Sequence, residues 1–183
     1  MNGEPDISLE VTWLPFELHA DTPPQGIPLA EYFGAPRERV AGMQSGLRKR
    51  AQELGMPFNP PEVLSNTLKA HILSEYARDE GKFAALHHEL FGRNFVAGEN
   101  LADEAVLRDA AASAGLDPDA AMRALGASEY RERVEASIER SRQLGISGVP
   151  TFIVEGKYKI VGAHPFDVLR DALRRIAELE GHS

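Results

Sequence analysis

GISGVPTFIVEGKYKIVGA, residues 145–163, is the stretch on which the fold turns. Gly145 ends a helical run, and TFIVEG, rich in β-branched and aromatic residues, reads as a short strand. Gly156-Lys157 then reads as a turn, and YKIVGA as a second strand at hairpin spacing. Proline is tolerated just ahead of a strand because the first residue can lack a ladder donor, so plain strand entry is one reading of Gly148-Val149-Pro150. Beyond the hairpin, Phe166, Val168, Leu169, Leu173, Ile176 and Ala177 fall on one face of a helix between Pro165 and Leu179.

Working outward, Ile7, Leu9 and Val11 alternate with Ser8, Glu10 and Thr12, which predicts a strand from Ile7 that ends near Pro15, with Trp13 and Phe16 in the core. The proline-rich segment 19–36 predicts a connection with at most one helical turn near Leu29 to Phe33. Apolar residues of helical period then dominate. Helices are expected over Arg37 to Leu54, Asn66 to Asp79, Phe83 to Phe95, Asp103 to Ala114, a short one opening at Asp117-Pro118, and Ser128 to Leu144. The order is strand, helical block, strand, strand, helix. It gives an α/β chain with a thioredoxin-like part at 1–36 and 145–183 and a helical insertion domain at 37–144.

The composition, 43% hydrophobic and 26% charged, is that of a globular protein, and the net charge of −8 argues against nucleic acid as the main partner. MNGEPDISLEVTW lacks the basic and apolar regions of a signal peptide, and no apolar run is long enough to span a membrane, so a cytoplasmic location is expected. The chain has no cysteine. Disulfides, thiolate metal sites and a thiol nucleophile are therefore excluded within it.

GISGVPTFIVEGKYKIVGA resembles the cis-proline loop and closing hairpin of the DsbA-like thioredoxin superfamily, in the branch of FrnE-type oxidoreductases and 2-hydroxychromene-2-carboxylate isomerases. VTWLPFEL, SNTLKAHILSEYARDEGK, HHELFGRNFVAGENLADEAVL and AGLD agree in order and spacing, so the resemblance spans nearly the whole chain. It implies a DsbA-like fold, a thioredoxin-like sheet with a large helical insertion. It implies a cis bond at Pro150, with the backbone of Val149 and Gly148 offered to an extended thiol or disulfide peptide, or to glutathione. The departure is at the start: the family opens with a strand and a helix whose first turn carries Cys-x-x-Cys, or serine in the glutathione-dependent enzymes. An N-terminal βα unit of that kind is missing from this chain; the first expectation is a polypeptide that begins upstream of Met1, the alternatives being a strand donated by another chain or two remaining halves that close against each other in an altered sheet.

The same resemblance places Asn66 and His71 beside the substrate groove and His164 near the bound thiol. The alternatives are helix capping by Ser65 or Asn66, a packed His71, and a His164 that caps the last helix. His87 and His88 diverge by roughly 100° around a helix and no His-Glu-x-x-His occurs, so no metal site is expected, and no cofactor beyond glutathione as a substrate. Arg37, Arg39, Arg48, Lys49 and Arg50 read as a solvated basic helix face. Three functions stand: a thiol-disulfide oxidoreductase, inactive as this cysteine-free chain; a glutathione-dependent isomerase or kappa-class-like transferase; or a peptide-binding remnant without catalysis. No catalytic residue lies within the chain on any of them. The expected partners are thiol or disulfide peptides or glutathione, with no nucleic acid and no membrane, and homodimerisation is left open.

Overall fold

Helices form where an apolar stripe of helical period meets a stop signal. In the computed structural model, which describes residues 7–181, they are α1 (Leu29–Tyr32), α2 (Arg37–Glu53), α3 (Leu68–Asp79), α4 (Phe83–Gly92), α5 (Glu104–Ser113), α6 (Pro118–Ala124), α7 (Ser128–Gln143) and α8 (Phe166–Gly181). Asp103 and Asp117 cap α5 and α6 by accepting from the first backbone N–H groups of each helix, and Pro118 opens α6 where an amide donor would go unused. α4 runs on into a π-helical turn, Arg93–Ala97, closed by Gly98 in the left-handed region. The strands β1 (Ile27–Pro28), β2 (Val63–Leu64), β3 (Thr151–Val154) and β4 (Tyr158–Val161) make two antiparallel pairs, β1 with β2 and β3 with β4.

The chain divides into two compact units. His19–Ala136 is one. Its core is Ala70, Leu73 and Ala77 of α3, Leu86 and Leu90 of α4, Leu107, Ala110 and Ala111 of α5, and Ala121 of α6, closed by Leu101, Ala114 and Leu116. Alanines on facing helices let the backbones approach closely, so few large side chains are needed to exclude water. Residues 19–36 belong to this unit rather than to the thioredoxin-like part because β1 pairs with β2, Ile27 opposite Leu64 and Pro28 opposite Val63. Gly26 makes the approach possible: at φ 84° it lies so close to β2 that a Cβ would meet Val63 Cγ1 at 2.8 Å and the Leu64 carbonyl at 2.9 Å.

The second unit takes the described residues up to Leu18 together with those from Ser137 onward. β3 and β4 pair from Thr151 opposite Val161 to Val154 opposite Tyr158. The reversal puts both Glu155 and Gly156 at positive φ, the signature of a type I′ turn, one residue earlier than the Gly156-Lys157 expected from sequence. Phe152, Val154, Tyr158 and Ile160 share one hairpin face, and the Tyr158 hydroxyl ties that face to α8 by donating to Glu180 Oε1 at 2.9 Å. Ile153 and Val161 point to the other face and stay exposed.

The expected strand from Ile7 to Pro15 does not form. Alternation of side chains fixes which residues could share a face, but a strand persists only by exchanging backbone hydrogen bonds with a neighbour, and no described segment pairs with this one. Trp13, expected in the core, is 54% exposed, and Phe16 is half-buried. What anchors the segment is Pro15, buried, whose carbonyl accepts from Ser137 Oγ at 3.0 Å.

Candidate functional site

The site is the turn between α7 and β3. α7 ends in a Schellman motif: Gly145 at φ 63° lets its own N–H reach the Arg142 carbonyl (2.9 Å) and the Ile146 N–H reach that of Ser141 (2.9 Å). The chain thus leaves the helix in a fixed direction. Lys159 of β4 donates to the Leu144 carbonyl at 3.1 Å and holds the hairpin to that helix end.

Two further bonds shape the loop. Thr151 Oγ1 donates to the Gly148 carbonyl at 2.7 Å, and the Gly162 N–H donates to the Pro150 carbonyl at 2.8 Å. The Val149–Pro150 peptide bond is cis. Gly148 is half-buried with open space where a Cβ would stand, Pro150 is exposed, and Val149 is 52% exposed. Neither the N–H nor the C=O of Val149 has a hydrogen-bond partner among the described residues. Next to it, β3 pairs on one side only, with β4. The arrangement leaves a backbone donor and an acceptor without a partner among the described residues at the entrance of an open-edged strand, the chemistry that strand addition uses.

His164 lies in the same unit, but its ring nitrogen bonds the Val161 carbonyl at 2.9 Å, so it stiffens the exit of β4. Asn66 and His71 belong to the other unit. Asn66 Oδ1 accepts from the Leu68 N–H at the start of α3 (3.1 Å), while its Nδ2 donates to the Thr22 carbonyl at 2.7 Å. The buried Ser65 hydroxyl accepts from the Leu101 N–H at 3.0 Å. His71 is half-buried on α3. His87 lies between Phe83, on which it stacks with ring centroids 5.6 Å apart, and Phe91, tilted against it at 4.6 Å, and burial lowers its pKa; His88 is exposed beside it. The residues that sequence reasoning passed over are Thr151, Lys159 and Gly162, which clamp the loop. The signal was the hairpin register, which sets Thr151 opposite Val161.

A charged clamp secures the hairpin from behind. The Lys157 ammonium donates to Glu180 Oε2 at 2.8 Å, while Tyr158 bonds the other oxygen. Those hydrogen bonds, from Lys157 first and then Tyr158, hold the Glu180 carboxyl below its usual range. The same carboxylate raises both Lys157 and Tyr158 above theirs. A depressed acid stabilises above its ordinary pKa, and that contribution is lost as pH falls through the lowered value. Raised bases and phenols stabilise below their ordinary values and lose that contribution as pH rises through the raised ones. Glu180→Gln is therefore expected to flatten both the acid and the alkaline limbs of a plot of melting temperature against pH. Unchanged limbs would show the clamp to be idle.

Three comparisons bear on this geometry. The Bacillus subtilis (strain 168) protein YwbO, itself uncharacterized, is 28% identical over 168 residues, which is 90% of this chain and 81% of YwbO. The crystal structure of the probable DsbA oxidoreductase SCO1869 from Streptomyces coelicolor superposes with a TM-score of 0.79 at 26% identity, over 87% of this chain and 72% of that one. A structure from Nitrosomonas europaea, at 21% identity and a TM-score of 0.63 over 81% of this chain and 77% of its own, shares the fold. Residues 4–174 match the family model of the DSBA-like thioredoxin domain, and with nearly the whole chain so covered, the protein belongs to that family.

Proposed function

We propose that this chain is a DsbA-like thiol-disulfide oxidoreductase of the FrnE type, inactive in thiol exchange as a cysteine-free chain, working in the cytoplasm, with Val149 as the residue that receives an extended thiol- or disulfide-bearing peptide. The observation that carries the reading is the unpartnered, exposed backbone of Val149 at the entrance of an open-edged strand. Pairing there is independent of side chains, which suits an enzyme family that meets many cysteine-containing sequences. Residues 1–183 contain no cysteine, so the sulfur chemistry comes from whatever thiol is brought to the loop. Glutathione, a tripeptide, offers the same backbone groups on a smaller scale, and its use by an isomerase is the second reading that this edge supports.

The test is a titration of the isotope-labelled chain with an extended peptide holding a central S-methylcysteine. The Val149 and Thr151 amide signals should move first. A peptide N-methylated at the residue facing Val149 should bind about 2- to 10-fold more weakly, the effect of one backbone hydrogen bond. Signals moving elsewhere, or indifference to N-methylation, would refute the reading, and preferential binding of glutathione over the peptide would favour the isomerase.

A further inference from the structure

The longest of the described helices leaves most of its surface uncovered. α2 spans Arg37–Glu53, yet Val40 is its one buried residue. Met43, Leu47 and the adjoining Leu54 are 55%, 63% and 57% exposed. At about 100° per residue, Val40, Met43, Leu47, Ala51 and Leu54 fall within roughly 80° of arc, a continuous apolar stripe. The charges are sorted around it. Arg37 and Arg48 flank the stripe on one side and Arg39 and Arg50 on the other; Glu38 and Glu53 lie towards the far face, from which Glu53 reaches back to pair with Arg50 at 3.2 Å.

One border opens into a groove of ≈ 270 Å³ lined by Leu29, Val40, Gln44 and Val63 with Arg37 and Arg48 among its walls. Its single acid, Glu62, is already paired with Arg37 at 3.6 Å. The helix carries five bases against two acids in a chain of net charge −8.

We propose that this face of α2 docks an acidic amphipathic helix of another protein, its apolar residues meeting Met43, Leu47 and Leu54 and its flanking carboxylates meeting Arg48 on one border and Arg39 on the other, the two border arginines that Glu62 and Glu53 do not engage. Charge selects this occupant. A second copy of α2 would set arginine against arginine on both borders, which opposes self-pairing. The charges that select a partner helix are those within a Debye length, roughly 8–10 Å, of the stripe, and there Arg39 and Arg48 have no ion pair among the described residues. Exposed methionine and leucine supply adaptable apolar contacts, and the arginine stems extend the apolar strip sideways. This reading stands apart from the Val149 edge, and neither depends on the other.

The test uses fluorescence anisotropy with a labelled helical peptide of about three heptads, Leu at a and d and Glu at e and g, and a control peptide with Lys in place of Glu. The full chain should bind the Glu peptide at least about tenfold more tightly than the Lys peptide, with affinity falling as salt rises. Leu47→Ser should weaken binding about tenfold. Should that variant melt early, Arg39→Glu combined with Arg48→Glu, both exposed, should reverse the preference between the peptides. Equal binding of both peptides, no binding, or indifference to these substitutions overturns the proposal. So does a dimer of the chain that Leu47→Ser dissolves, or binding to phosphatidylserine vesicles in preference to the Glu peptide.

Discussion

Given insulin and dithiothreitol, the purified 183-residue chain is expected to reduce insulin no faster than the blank, and incubation with oxidised glutathione is expected to leave no glutathionyl adduct on its intact mass. Thiol-disulfide exchange proceeds by attack of a thiolate on a disulfide sulfur through a mixed disulfide. The chain has no cysteine and four methionines, whose thioethers carry no proton to lose and form no such intermediate. Binding at Val149 can align a disulfide but cannot supply the electron pair that breaks it. Turnover above background, or a covalent adduct, would overturn this account of the site. Binding of peptide without turnover is the combination expected, and it would separate the recognition proposed for these residues from the chemistry, which they lack the thiol to perform.

The second large effect lies in the helical unit. Leu107 of α5 is fully buried among α3, α4 and α6 residues, and Leu107→Ala should cost about 2–5 kcal/mol through lost burial and the cavity left behind. With a urea slope of about 1–3 kcal/mol/M for a protein of this class, the midpoint falls by on the order of 1 M or more, with the slope itself unchanged. The comparison that gives the measurement its meaning is Leu47→Ala, the same atoms removed from a position 63% exposed, where the change should stay within about 0.5 kcal/mol. If the two variants melted alike, the core assigned here would be wrong.

Helices were legible because each carries its own evidence in the chain: a period, an Asp cap as at Asp103 and Asp117, and a glycine stop as at Gly145. The closing hairpin was legible for the same reason, its turn and both strands being contiguous. Pairings between distant segments were not. Nothing local announces that Ile27–Pro28 meets Val63–Leu64, since a two-residue ladder has no period to read. The same limit runs the other way in residues 7–18, where a strand pattern was present and a partner was not. In the candidate site the loop could be placed from sequence, whereas the clamp of Lys157 and Tyr158 on Glu180 joins residues 23 and 22 positions apart and waits on the register of hairpin against helix.

Six of the residues that form the helical core are alanines: Ala70, Ala77, Ala110, Ala111, Ala114 and Ala121. A buried leucine can be exchanged for methionine or isoleucine with modest repacking, but a buried alanine between close helices has almost no neutral alternative. Anything larger pushes backbones apart, and glycine costs a helix interior about 1 kcal/mol. The helical unit is therefore free to drift at its leucines and held at its alanines, so descendants of this sequence should diverge in the bulk of their core while keeping the spacing between its helices.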